Sequence, residues 1–373
     1  MDGKKEKVLK NVKRIAMICA TPYHIYNAIN LKVTIYYGEC IDLFIINDFE
    51  DSLKYYESII KRKLFNNVYL IKRPKINTGW DKWKMRYSLL TDRMKYFTKE
   101  NFNEYNLIAT GVLESFSIIF MLNQKKKNPN LEFIVIEDGM GDYVSDRRMK
   151  FDSKIYRFRK INMSNYINKM WMYKPDISLY KKEYKNISTI PTPTNESIEI
   201  LTEIFQITDT ITREIVSNNI IYLDQPIEET NWSLSRANII EKLVRYLKKE
   251  DFVVKRHPRK QDFDYAPYKV KVLPELQVPW EVIGAKLVNK VLITFNSSAA
   301  LTPKFIYNNN NKVIFLYKYF MKDDPLCLEW DKFFYKVKDM YPEHIFIPET
   351  EKDLIDVLDQ VKEWVGIKNG NNN

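Results

Sequence analysis

Three cysteines, three histidines and nine glycines are all that a chain of 373 residues contains, and each shortage excludes something. Cys19, Cys40 and Cys327 are few, odd in number and without metal-ligand spacing. Neither a disulfide framework nor a zinc-type cluster is expected, and a reducing compartment is. The nine glycines form neither a Walker phosphate loop nor a G-x-G-x-x-G fingerprint, so the usual backbone cradles for nucleotide phosphates are missing. No stretch approaches the ~20 apolar residues of a membrane span. The start, "MDGKKEKVLKNVKR", is charged and lacks the apolar core of a signal peptide. A cytoplasmic location is expected.

What the chain has is apolar content and positive charge. Hydrophobic residues make up 45% and aromatic residues 14%, which marks a folded globular protein. Formal net charge is +11. Such a balance favours anionic partners, among them nucleic acid, an anionic membrane face or a phosphorylated substrate, although a solvated lysine-rich surface accounts for it equally. "QKKKN" and "KRKLF" read as solvated helix ends. No nucleic-acid-binding motif accompanies them, so no nucleic-acid partner is expected. Peripheral contact with the inner face of the cell membrane is compatible with the charge.

Short apolar runs alternate with longer amphipathic ones. "RIAMICA", "IDLFII", "NVYLIKR", "LIATG" and "EFIVIEDG" read as strands. "YHIYNAINLKV" and "LESFSIIFMLNQKKK" read as helices, as does "DFEDSLKYYESIIKRKLF", with an acidic first turn and a basic last turn. A Pro/Thr-rich stretch, "STIPTPTNES" at 188–197, interrupts the pattern. Strands "NIIYLDQ", "FVVKRH", "KVKVLP", "KVLITF" and "KVIFLY" follow it, with helices among them. The expected fold is α/β with the GT-B layout: two Rossmann-like doubly wound domains facing a central cleft. The expected boundaries are 1–190 for an N-terminal domain, 191–215 for a linker and connecting helix, 216–368 for a C-terminal domain and 369–373 for a disordered tail.

Ligands of such sheets sit at the carboxyl ends of the strands, and polar residues fall there. The first half offers "ATPYH" with Thr21, Pro22 and His24, then Thr110 and Gly111, then "EDG" with Glu137, Asp138 and Gly139. Adjacent strand residues face opposite ways, so one acid of the pair is expected to face the cleft. Burial and the second carboxylate would make it a stronger base than free aspartate. Gly139 and Gly141 leave room for a sugar and permit an unusual turn. The second half offers "KRHPR" and "FNSS". Pro258 holds His257 extended, amid Lys255, Arg256 and Arg259, a setting for phosphate contact and proton donation to a leaving phosphate. A surface turn beside a basic patch fits the same residues. Asn296, Ser297 and Ser298 precede a helix, where a serine is an ordinary cap and also a ready phosphate ligand. Glu281 opens another helix, where the dipole favours an acid and where its carboxylate could accept from ribose hydroxyls. "DFD" at 262–264 matches a metal-binding tripeptide but lies in a Pro/Tyr-rich loop, and no metal site is expected.

The succession of "EDG" in the first half, then "HP" and "SS" in the second, resembles the bacterial sialyltransferases, and in particular glycosyltransferase family 52. Each motif is short; their order and placement at strand ends carry the likeness, which runs from the first strand to the last helix. The resemblance implies an inverting transfer of sialic acid from CMP-sialic acid to a galactose-ended glycan of lipooligosaccharide or capsule, with no cofactor or metal. Asp138 would be the general base. His257 would contact the CMP phosphate and assist its departure, Ser297 and Ser298 would bind that phosphate, and Glu281, or its rival Glu275, would hold the ribose. "TPYH" is similar to a "TPLQ"-like segment of the family, with His24 in place of glutamine. Homodimers occur in the family. Two other readings stand beside this one. The first is another metal-independent GT-B glycosyltransferase or polyol-phosphate transferase with a different nucleotide donor. The second is a non-catalytic basic protein that binds membranes or nucleic acid.

Overall fold

The computed structural model describes residues 12–73, 78–145, 158–181, 186–227, 234–257, 263–274, 279–322 and 324–367. Pro258, Arg259, Asp262, Glu275 and the expected tail at 369–373 lie outside the described residues.

The first half runs β1 (Arg14–Cys19), α1 (Pro22–Thr34), β2 (Cys40–Asn47), α2 (Ser52–Arg62), β3 (Asn67–Lys72), α3 (Gly79–Thr91), β4 (Leu107–Thr110), α4 (Ser115–Lys127), β5 (Glu132–Ile136), α5 (Gly141–Val144), β6 (Ile167–Met172) and β7 (Ile187–Thr189). Its seven strands pair in the order β3-β2-β1-β4-β5-β6-β7, all parallel. The strands β1 and β4 are buried almost throughout, as a sheet covered on both faces requires, and that is why they read as unbroken apolar runs. One helix differs from expectation. The acids Asp48, Glu50 and Asp51 precede α2 rather than forming its first turn, because Asp51 turns the chain at φ 61° before the helix begins. The basic last turn, Lys61 and Arg62, is as expected.

The second sheet contains β8 (Ile220–Leu223), β9 (Phe252–Lys255), β10 (Lys271–Val272), β11 (Val291–Thr294), β12 (Lys312–Phe315) and β13 (Ile345–Phe346). They pair in the order β10-β9-β8-β11-β12-β13, again all parallel. In each sheet the chain builds outward from its first strand and then crosses to that strand's other side. The order therefore reverses at β1/β4 and at β8/β11, where Ile18 lies opposite Thr110 and Leu223 opposite Thr294. Crevices at such reversals are where open α/β sheets take ligands.

The described parts of 1–138, 147–172 and 184–190 form one compact unit, and those of 139–146, 173–183 and 191–373 the other. The chain thus passes from one unit to the other several times. Within the stretch read as a linker, Ser188 and Thr189 belong to β7, and a helix starts at Asn195 under the Thr194 cap.

Candidate functional site

In the first unit the site is built at the end of β1. Only Ala20 and Thr21 separate that strand from α1. Thr21 Oγ1 accepts the His24 N–H at 3.2 Å and caps the helix, and Pro22 supplies the fixed φ of its first position. His24 is therefore held in the first helical turn, 2% exposed. Its Nδ1 accepts the Ala20 N–H at 3.1 Å. A ring nitrogen that accepts is unprotonated, so Nε2 carries the hydrogen and donates to Asp138 Oδ1 at 2.6 Å. Gly111, just past β4, makes this possible: a Cβ there would lie 2.2 Å from His24 Cδ2. His24 was expected to bind substrate; both of its ring nitrogens are engaged within the protein, Nδ1 by the Ala20 N–H and Nε2 by Asp138.

The two acids of "EDG" separate as the strand alternation predicts. Glu137 is buried, accepts the Tyr23 hydroxyl at 2.7 Å and donates its own N–H to Trp171 O at 3.0 Å. The Asp138 side chain is 40% exposed. The burial expected of the base falls on Glu137 instead, because that side chain turns under α1. Gly139 takes φ +96°, which only glycine adopts without strain. Gly141 is not unusual; it starts α5. Thr110 is fully buried, donating to Val112 O at 2.7 Å and accepting the Val112 N–H at 3.1 Å, so its hydroxyl shapes the turn after β4.

That turn leads into a cavity of about 400 Å³ at the ends of β2 and β3, lined by Ile46, Ile71, Met85, Phe97 and Leu113, with Arg73 and Glu114 also in its wall. Arg73 pairs with both Asp48 and Glu114. Burial pushes the Glu114 carboxyl up, against the pull of Arg73. Sequence reasoning missed this cavity, whose parts come from five separate segments.

In the second unit the corresponding reversal is tied together by Gln225, which follows β8. Its Nε2 donates to Asn296 Oδ1 at 2.7 Å, and its Oε1 accepts the Asn296 N–H at 2.7 Å. Thr294 Oγ1 lies 3.1 Å from both Leu223 O and Gln225 Oε1 and accepts the Ser297 N–H at 3.2 Å. Ser297 in turn caps a single turn over Ser298–Ala300 by accepting the Ala299 N–H at 3.3 Å. Asn296, Ser297 and Ser298 are half-buried there.

Lys255 closes β9, its Nζ 5.2 Å from the Trp280 ring centroid. Burial lowers its pKa to about 8, while Glu281 and Asp224 hold it up. Burial pushes the Glu281 carboxyl up to about 7, against its own backbone N–H and Lys255. Lys255 and Glu281, far apart in sequence, are thus electrostatic neighbours. Asp224, missed by sequence reasoning, is buried 3.5 Å from Arg236 Nη1, and desolvation pushes its carboxyl up too. His257 stands half-buried two residues past β9. Asp264 of "DFD" accepts the Ala266 N–H at 2.9 Å and caps a turn. Among the described residues no three His, Cys, Asp or Glu side chains gather as a metal site. A larger cavity of about 890 Å³, lined by Ile198, Thr202, Arg213, Ile283 and Lys286 among others, holds none of these strand-end residues.

Comparison with solved structures assigns the architecture. Arabidopsis thaliana UGT89C1 complexed with UDP is 10% identical, with a TM-score of 0.57 over 95% of this chain and 92% of that one. Methanocaldococcus jannaschii UDP-GlcNAc 2-epimerase, in complex with UDP-GlcNAc and UDP, is 12% identical, with a TM-score of 0.52 over 96% and 94%. Acinetobacter baumannii MurG is 11% identical, with a TM-score of 0.50 over 95% and 93%. The fold is GT-B. No family model matches the sequence, and no curated protein matches it.

Proposed function

We propose that the protein is an inverting sialyltransferase that moves sialic acid from CMP-sialic acid to a galactose-ended bacterial surface glycan, without a metal or cofactor. The observation that carries this reading is the pair of polar clusters at the two strand-order reversals, an oriented carboxylate in one unit and a hydroxyl-bearing turn in the other, with Lys255 at the end of the strand beside β8. Asp138, held by His24, takes the proton of the acceptor hydroxyl as its oxygen bonds the anomeric carbon. The bond from that carbon to the CMP phosphate breaks, and CMP leaves with the electron pair. Lys255, Asn296, Ser297 and Ser298 receive the phosphate charge, His257 assists its departure, and Glu281 accepts from the ribose hydroxyls. A serine hydroxyl that caps a helix still has its hydrogen to donate. Fixed cations and hydroxyls of this kind stabilise a leaving phosphate as a metal ion does elsewhere. Peripheral contact with an anionic membrane face and a homodimer belong to the same proposal.

A second reading, a UDP-sugar enzyme on the same fold, is favoured by the UDP present in two of the similar structures. Calorimetric titration with CMP and UDP separates the two. The sialyltransferase reading requires CMP to bind and UDP to bind far more weakly; the reverse order removes it.

A further inference from the structure

Helix α3 carries a row of aromatic side chains that its own unit does not cover. Trp80, Trp83, Tyr87 and Leu90 recur three and four residues apart, hence along one face, and all are exposed, Trp80 at 61% and Trp83 at 52%. On the inward side of the helix Ser88 and Leu89 are buried, and Met85 lines the 400 Å³ cavity. The rings stack on one another, Trp80 on Trp83 at 5.0 Å and 5°, and Trp83 on Tyr87 at 5.4 Å and 12°. At the helix's C-terminal end, Arg159 donates to Leu89 O at 2.6 Å, and the residue before it in the chain, Phe158, is 81% exposed.

Among the described residues from 79 to 96, the exposed charges have one sign. Lys82, Lys84, Arg86, Arg93 and Lys95 are exposed. The Lys84 ammonium lies 5.8 Å from the Trp80 ring and the Arg93 guanidinium 5.6 Å from that of Tyr87. The two acids are engaged elsewhere: Asp81 accepts from Thr78 in the helix cap, and Asp92 is buried under Arg159 and Lys126. We propose that the aromatic face of α3 docks this protein on an anionic lipid bilayer. Tryptophan and tyrosine flanked by lysine and arginine are the composition that settles among lipid headgroups. A sugar stacks on a ring's open face, and Trp83 has a ring on either side, so the row is poorly suited to a glycan. The proposal adds a surface to the membrane contact proposed above. It does not depend on the donor, because vesicle binding is read separately from transfer.

The test is co-sedimentation of the full chain with phosphatidylcholine vesicles and with vesicles enriched in phosphatidylglycerol. Binding is expected to the anionic vesicles, weakened by salt. Trp80→Ser with Trp83→Ser should lower it by about tenfold or more, and Lys82→Glu with Lys84→Glu and Arg86→Glu by about 100-fold. Donor binding should be unchanged in both variants. Should the tryptophan variant fail to fold, the charge reversal tests the same surface by itself. A wild-type protein that ignores anionic vesicles, or binds neutral ones equally, overturns the proposal. So does a pair of folded variants that bind as wild type, or a tryptophan variant whose only change is from dimer to monomer.

Discussion

Asp138 and His24 are 114 residues apart in sequence and 2.6 Å apart in space. Neither the acid nor the histidine shows this partnership on its own. The acid at the end of an apolar strand was legible, because β5 must deliver its last residues to the sheet edge. The histidine's bond to that acid was not, since it depends on the Ala20 N–H that selects its tautomer and on the missing Cβ of Gly111. Asp138→Asn is expected to fold, bind CMP and lose turnover by ~10²-fold or more. Glu137→Gln should act mainly on stability, through the buried bond to Tyr23; steady-state kinetics beside thermal melts separate the two. Gly111→Ala should push the imidazole from Asp138 and cost turnover by up to ~10²-fold, with CMP affinity retained. Normal turnover in a folded Gly111→Ala protein would remove the orienting role of His24.

Two further residues set a pH dependence. Burial pushes the Glu281 carboxyl up to about 7 and the Lys255 ammonium down to about 8. In the proposed donor site, ribose binding wants the Glu281 carboxylate and phosphate binding the Lys255 ammonium. CMP affinity should therefore rise as pH climbs through about 7 and fall above about 8, by at most tenfold per unit for each proton involved. Stability runs differently. Glu281 is raised, so its contribution falls as pH rises from the free-carboxylate range to about 7. Lys255 is lowered, so its contribution recovers as pH rises past about 8. Calorimetry and melting curves across pH read both; a CMP affinity that is flat from acid to alkaline pH would contradict the assignment.

At the scale of elements, the sheets were legible because parallel strands buried on both faces read as apolar runs. The weaker pieces were not. β6 carries exposed Asn168 and half-buried Lys169, β7 is three residues long and β13 two, and none has enough apolar length to announce a strand. The turn after β11 was legible from "NSS", but its fastening was not, since Gln225 is an unremarkable residue until it meets Asn296 and Thr294. Gln225→Ala removes the partner of the Asn296 N–H and Oδ1 and should destabilise the second unit by about 1–3 kcal/mol. CMP binding should weaken with it. A melting curve and a calorimetric titration check both, and a variant with unchanged melting and affinity would show that the turn holds itself.

At the scale of the whole molecule, the two-sheet GT-B architecture was legible from alternation alone, whereas the repeated passage of the chain between units was not. Those crossings depend on which sheet packs short segments such as residues 139–146, and no local pattern encodes that. The molecule as a whole is proposed to act without a metal. Transfer should survive EDTA, and a loss restored by manganese or magnesium would return attention to the "DFD" stretch. The most direct measurement is the product formed from CMP-sialic acid and a panel of galactosides, with its anomeric configuration read by nuclear magnetic resonance. The expected result is a sialylated galactoside of inverted configuration, with one CMP released per transfer. No transfer from CMP-sialic acid, with turnover of a UDP-sugar by the same preparation, would contradict the proposed function.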